Sequence, residues 1–287
     1  MPDATKIVAA APYERLARDW GLVLAAAGIA CEVERRGREW GVVVGADDAD
    51  RAAEALAGYE AETLPTRAAD RPVDEYGRTW AGVVIGILLV LSYRLVGSRT
   101  AATALFNAAE ARADAIVGGE ARRAVTALTL HADAPHLVSN LLTGVLVATA
   151  VCSALGPGVG AWLLLATGAI GNWVTAMLHD AGYRSVGAST AIFGGVGVLV
   201  GLAIVRRGRR AWVPLAAGLA LLGFLGTGEH ADLLAHLFGF VAGVGAGTAI
   251  APVPVLRSRP AQWLLALSAL GVVTACWLVA IERALRR

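Results

Sequence analysis

The stretch that decides the fold is VGASTAIFG, residues 186–194. It lies in a run of 21 residues, 185–205, that contains no charged side chain. A run this long and this apolar predicts a transmembrane helix. The serine at its start has two interpretations: close packing between membrane helices, which small residues permit, or a nucleophile held just inside the bilayer. Taken alone, the motif favours packing, because short Gly-x-Ser patterns often occur by chance.

The whole chain has the composition of a membrane protein joined to a water-soluble domain. Of its 287 residues 56% are hydrophobic and 17% are charged, against about 25% charged residues in soluble proteins. Residues 1–79 hold 10 of the 25 basic and 15 of the 23 acidic residues, a net charge of −5, and the remainder carries +7. The arginines of that remainder lie between apolar runs, where they report membrane topology. Nucleic-acid binding is therefore not predicted.

The first part of the chain predicts a small α+β domain. Residues 1–64 alternate between strand and helix patterns in the order βαββα, like half of a ferredoxin fold. Residues 65–78 are polar and contain two prolines, so they predict a linker. We find no chemistry-bearing motif in this domain.

The rest of the chain predicts seven transmembrane spans. Six of them form a core over residues 79–256, and the seventh lies with the tail in residues 257–287. The predicted spans are 79–96, two within 134–179 that turn at 156–158, the serine helix 185–205, then 211–228, 232–256 and 260–281. A connection of 33 residues, 98–130, follows the first span, and its alanine-rich piece 101–117 predicts an interfacial helix.

Arginine clusters give the orientation. Residues 206–210 hold four arginines, and Arg257 and Arg259 follow the sixth span. The excess of positive charge in cytoplasmic loops places both clusters and the N-terminal domain inside. The prediction is a multi-pass protein of the inner membrane with a cytoplasmic N-terminal domain, and the connection 98–130 lies outside.

Four polar residues then fall at one depth near the outer surface. In this orientation three alternate spans run from outside to inside, and each begins with its unusual polar residues. These residues are His136 and Asn140 on the second span, Ser189 on the fourth and His236 on the sixth. Polar groups inside a membrane are costly, so they indicate function.

Helical spacing predicts how these residues meet. Every fourth position along the serine span is a serine, an aromatic residue or a glycine, and small residues recur with the same spacing at Gly239 and Gly243 beside His236. Such faces allow close helix approach, which would bring Ser189 within about 2.6–3.2 Å of His236, the contact that an activated nucleophile needs. His136 and Asn140 are four residues apart on one helix face. Together with the Ser189 backbone N–H they are donors suited to an oxyanion.

The pattern resembles the rhomboid intramembrane serine proteases. The resemblance covers about residues 80–250 and rests on HxxxxHxxxN (131–140), GxSx (187–190) and AHxxGxxxG (235–243), on successive spans in the family's order. It implies a rhomboid-like six-helix core, here with one C-terminal helix added. It also implies that Ser189 is the nucleophile and His236 the general base, with His136 and Asn140 stabilising the oxyanion. Supporting roles follow for His131, which is usually structural, for Phe193 beside the catalytic imidazole, and for Gly187, Gly239 and Gly243.

Two positions depart from the family pattern. Thr190 stands where glycine usually follows the serine, which predicts a side chain beside the oxyanion hole. Arg122 stands where a tryptophan is common in the loop before the second span.

The prediction is a serine endopeptidase that cuts transmembrane proteins within the lipid bilayer through a Ser-His dyad, without a cofactor. The main alternative is a rhomboid-like protein that binds membrane clients without cutting them. A transporter would predict ionisable residues near mid-bilayer or inverted repeats, and we find neither. His131, His136 and His230 lack an accompanying carboxylate, so no metal site is predicted. His179 and His230 are expected to be solvated at loop ends.

Overall fold

The computed structural model of the protein describes residues 5–37, 39–69, 75–207, 212–225 and 232–286. Contacts divide the chain into two compact units, Met1–Val73 and Asp74–Arg287. Each unit has its own apolar core.

The first unit is a three-stranded sheet with two helices. Its elements are β1 (Thr5–Ala11), α1 (Glu14–Ala26), β2 (Cys31–Arg36), β3 (Glu39–Gly45) and α2 (Ala49–Ala69). The sheet is antiparallel with β3 in the centre. α1 contributes Leu24 and Trp20 to a core that it shares with Val42 of β3, as expected for an amphipathic helix on a sheet. The elements follow one another in the order βαββα, and α2 continues to Ala69, beyond the predicted start of the linker at residue 65. The alanines at 68 and 69 favour helix.

The second unit begins with one apolar helix and a long folded connection. α3 (Ala81–Val96) is followed by α4 (Ala104–Ala109), the short strand β4 (Ala111–Arg112), α5 (Ala113–Val117), α6 (Arg123–Thr126) and a 3₁₀ turn at Ala127–Thr129. The expected single helix over 101–117 is wrong, since the chain turns extended at Glu110. The Glu110 side chain is buried and accepts a hydrogen bond from Arg184 at 2.7 Å. This tertiary contact overrides the helix propensity of the alanines.

Six further helices complete the unit. They are α7 (Ala134–Leu155), α8 (Pro157–Leu178), α9 (Ser189–Arg207), α10 (Trp212–Leu225), α11 (Leu233–Ile250) and α12 (Arg259–Leu285), with the short strand β5 (Arg184–Ser185) between α8 and α9. Gly156, at a φ of +95°, makes the predicted turn between α7 and α8.

Five helices in the described part of the chain are long and apolar enough to cross a membrane: α3, α7, α8, α11 and α12. They coincide with five of the seven predicted spans. α9 is a shorter apolar helix over Ser189–Val205, and α10 has 14 described residues. The protein is thus a mostly helical, multi-pass membrane protein with a small N-terminal sheet.

α12 is fastened to the bundle by polar contacts. The fully buried side-chain amide of Gln262 accepts hydrogen bonds from the N–H groups of Gly158 and Val159, at 2.7 and 3.1 Å. It donates to the carbonyls of Leu155 and Leu256, at 3.0 and 2.9 Å. One side chain thereby satisfies backbone groups that the ends of α7 and α8 leave open.

Candidate active site

Ser189 and His236 are in direct contact. Ser189 is the first residue of α9, and His236 lies in the first turn of α11. The distance between Ser189 Oγ and His236 Nε2 is 2.7 Å, within the range of a good hydrogen bond. His236 is 3% exposed, and Ser189 is half-buried.

Glycines bring the two helices together. A Cβ built on Gly239, Gly243 or Gly247 of α11 would stand 2.0–2.4 Å from a backbone oxygen of α9. The reverse holds for Gly197 and Gly201 of α9, at 2.2 and 2.4 Å from backbone oxygens of α11. Any side chain at these positions would push the helices apart, so the four-residue spacing seen in the sequence fixes the distance between them.

Phe193 packs on the imidazole. Its ring centroid lies 4.7 Å from that of His236, with the planes tilted by 32°. Phe193 stands one turn below Ser189 on α9 and is buried. The ring therefore limits how far the imidazole can tilt away from the Ser189 hydroxyl.

His136 lies beside the serine. The helix that carries it, α7, is preceded by the capping residue Asp133. The Asp133 carboxylate accepts a hydrogen bond from the His136 backbone N–H at 2.8 Å. Gly187, at a φ of +135°, makes room for the ring: a Cβ there would meet His136 Nε2 at 2.9 Å and Ser189 Oγ at 3.4 Å. Only glycine suits this position, both for its backbone conformation and for the space.

Asn140 is a buried donor on the same face of α7. It is 4% exposed, and its Nδ2 has no hydrogen-bond partner among the residues that the structure describes. An unsatisfied buried N–H costs free energy, so this amide is available to a ligand that supplies an acceptor. The i, i+4 relation to His136 predicts that the two groups serve one site.

His131 is packed out of solvent behind His136. It is fully buried, and the two ring centroids are 5.4 Å apart in an edge-to-face arrangement. Burial, and next the nearby His136, lowers the pKa of His131 to about 3. The ring is therefore neutral at ordinary pH.

Thr190 points into the helix packing. Its side chain is 3% exposed, and its methyl carbon would meet a Cβ on Gly171 of α8 at 2.6 Å and one on Gly239 of α11 at 3.2 Å. The threonine thus fills a space between three helices, where a glycine would leave a gap. Arg122, the other departure, forms an ion pair with Glu120 at 3.0 Å.

A cavity of about 460 Å³ adjoins the site. His136 lines it together with Arg99, His179, Tyr183, Arg184 and Asp232.

His179 was expected to be solvated, but it stacks on Tyr183 with centroids 4.1 Å apart and is part-buried. His230 lies outside the described residues. The residues that line the cavity were not predicted from the sequence. Asp232 stands four residues, about one helical turn, before His236, and this spacing could have placed Asp232 near the site.

A metal site is not apparent in the described part of the chain, where no group of three or more histidine, cysteine or acidic side chains could hold an ion. The contacts above are hydrogen bonds and ring packing among side chains suited to covalent catalysis.

Comparisons with known proteins find the same family that the sequence motifs resemble. The family described as Rhomboid domain matches residues 118–253. The protein named "Putative rhomboid protease YdcA" of Bacillus subtilis (strain 168) is 31% identical over 134 residues, which cover 45% of this chain and 66% of that relative. The family match runs from the end of α5 past the end of α11 and includes His136, Asn140, Ser189 and His236. Residues 118–253 of the chain therefore carry a rhomboid domain.

Proposed function

We propose that this protein is an intramembrane serine protease that hydrolyses peptide bonds in or near transmembrane segments of other membrane proteins. The observation that carries the proposal is the 2.7 Å contact between Ser189 Oγ and His236 Nε2. A hydroxyl in contact with an imidazole is the arrangement that activates serine as a nucleophile. The rhomboid domain and the apolar helices support a substrate within the bilayer.

The reaction follows from the positions of the groups. In the reactive tautomer Nε2 of His236 is unprotonated and accepts the Ser189 proton as Oγ attacks the scissile carbonyl carbon. The imidazolium then protonates the leaving amine, which breaks the peptide C–N bond and leaves an acyl-enzyme. A water molecule attacks the ester with His236 again as base, and the proton returns to Ser189 Oγ as the acid product departs. Neither step requires a cofactor.

The developing oxyanion needs donors that are already in place. Asn140 Nδ2, the ring of His136 and the backbone N–H of Ser189 are the groups we assign to this role. The unpartnered buried amide of Asn140 supports its part, since the transition state would supply the missing acceptor. The proximity of His136 to Gly187 and Ser189 supports the other.

The membrane arrangement completes the proposal. We assign a rhomboid six-helix core of α3, α7, α8, α9, α10 and α11, with α12 as a seventh helix. From the arginines, the N-terminal domain faces the cytoplasm of an inner-membrane protein. Water enters through the cavity beside His136, from the outer face.

The proposal is tested with the full-length protein in liposomes. A model substrate with one transmembrane segment is incubated with the wild type, with Ser189→Ala, and with Ser98→Ala. Ser98→Ala is the matched control, because it also removes a serine hydroxyl, but one that is exposed and contacts Thr100. We expect cleavage by the wild type and by Ser98→Ala, and none by Ser189→Ala. Cleavage by Ser189→Ala at the wild-type rate would contradict the mechanism, and binding of the substrate without cleavage by the wild type would favour the non-catalytic alternative.

A further inference from the structure

The 3₁₀ turn Ala127–Thr129 touches both sides of the candidate site. The carbonyl of Ala127 accepts the Gly187 N–H at 3.0 Å, two residues before Ser189. Directly after the turn, Leu130 and His131 lead into α7 and His136. A displacement of this turn would therefore move two parts of the site together: Ser189, and the start of α7, which carries His136.

The outer end of α12 holds this turn. Trp277 Nε1 donates a hydrogen bond to Thr129 Oγ1 at 3.1 Å, and the Thr129 hydroxyl donates to the Thr126 carbonyl at 2.8 Å. Ala280, close to one turn further along α12, is fully buried in a cluster with Leu130 and Val186. α12 therefore packs against the segments that enter α7 and α9, although it carries none of the polar residues of the site.

We propose that Trp277 is a positioning residue of the active site, which acts through Thr129 and the turn on Gly187 and hence on Ser189. The inference rests on the proposed function and assigns α12 a part in it. Catalytic groups must be held within about 0.5 Å of their productive geometry, and a misplacement of about 1 Å can cost about a hundredfold in rate. If loss of the Trp277–Thr129 bond shifts the turn by a fraction of an ångström, the Ala127–Gly187 bond passes that shift towards Ser189 and the rate falls.

Other polar contacts of α12 allow the effect of the Trp277–Thr129 bond to be distinguished from the attachment of the helix in general. Gln262 fastens the start of α12 to α7 and α8, and Trp162 Nε1 of α8 donates to Ser268 Oγ of α12 at 2.9 Å. The Trp162–Ser268 bond has the same chemistry as the Trp277–Thr129 bond, an indole N–H to a hydroxyl, but it does not involve the turn. It provides the matched control.

The test compares kcat and KM of full-length variants in liposomes, with thermal unfolding measured on the same samples. Trp277→Phe keeps an aromatic ring and removes the donor, and Thr129→Val keeps the shape and removes the hydroxyl. We expect each to lower kcat about tenfold, as a misplacement of well under 1 Å would, at an unchanged KM. Thr129→Ser should restore a kcat near that of the wild type, and the double variant should be no slower than the slower single variant. Trp162→Phe should leave kcat unchanged.

The possible outcomes are distinct. A wild-type kcat in Trp277→Phe and Thr129→Val, or an equal loss in Trp162→Phe, would overturn the inference while leaving the proposed function intact. A lower unfolding temperature without a change in kcat would also overturn it, since that is the result of a purely structural bond. If the wild type itself does not cleave, the proposed function fails and the inference fails with it.

Discussion

Gly243 of α11 lies against the backbone carbonyl of Gly194 of α9, so close that a Cβ on Gly243 would stand 2.0 Å from that oxygen. Real Cβ atoms do not approach an oxygen to this distance. The separation of the two helices is therefore set by backbone contact, and so is the distance between Ser189 and His236 at their N-terminal ends. The geometry of the Ser189–His236 contact depends on residues that carry no functional group.

Adding one methyl group at this contact should disrupt the site. In Gly243→Ala the helices must move apart, which we expect to lower kcat about a hundredfold or more, as a misplacement of about 1 Å does, and to lower the unfolding temperature. Gly245→Ala on the same helix is the control, because a Cβ there meets nothing within 4 Å. Equal cleavage rates for Gly243→Ala and Gly245→Ala would show that the spacing of the two helices does not set the distance between Ser189 and His236.

Removal of the proposed oxyanion donors should affect the chemical step alone. We expect Asn140→Ala to lower kcat by about 10²–10³ with little change in KM, because a preorganised donor acts mainly in the transition state, and we expect His136→Ala to act in the same direction. Thr143→Val on the same helix removes a hydroxyl that bonds to the Ser139 carbonyl and should leave kcat unchanged. Steady-state kinetics with a transmembrane substrate measures both parameters. A rise in KM at constant kcat in Asn140→Ala would instead indicate ground-state binding.

His131 should make the fold sensitive to acid. Its pKa is about 3 in the folded protein and about 6.5 when unfolded. Between these values the unfolded state binds a proton that the folded state does not, so stability falls as the pH drops below 6.5. At pH 5 this cost is about 2 kcal/mol. Unfolding measured at pH 7.5 and pH 5 should show a smaller decrease in His131→Gln than in the wild type. Equal decreases would mean that His131 is not buried as a neutral ring.

Replacing Thr190 with the glycine usual in the family should not raise the rate of substrate cleavage. The Thr190 methyl group packs against Gly171 and Gly239, so Thr190→Gly leaves a small gap and adds backbone freedom. We expect a loss of about 1 kcal/mol in unfolding free energy and no gain in kcat. A faster Thr190→Gly variant would show that the threonine obstructs the oxyanion hole, as its place next to Ser189 in the sequence suggested.

The contacts that arise from helical periodicity could be predicted from the sequence. Ser189 and His236 lie on faces of small residues that recur every fourth position, so their approach follows from α-helix geometry, and the structure brings them to 2.7 Å. The contacts that depend on distant pairing could not be predicted. Glu110 breaks an alanine-rich helix because it binds Arg184, 74 residues away, and no local pattern records that partner. The same holds for Gln262, which caps a turn 104 residues earlier.

The most direct test of the account is the site of covalent modification by a fluorophosphonate, which reacts with an activated serine. The full-length protein is labelled in liposomes and the adduct is located by mass spectrometry. The account predicts one adduct, on Ser189, lost in Ser189→Ala and formed far more slowly in His236→Ala. An adduct on another serine, or labelling of Ser189 at the wild-type rate in His236→Ala, would contradict the claim that His236 activates Ser189.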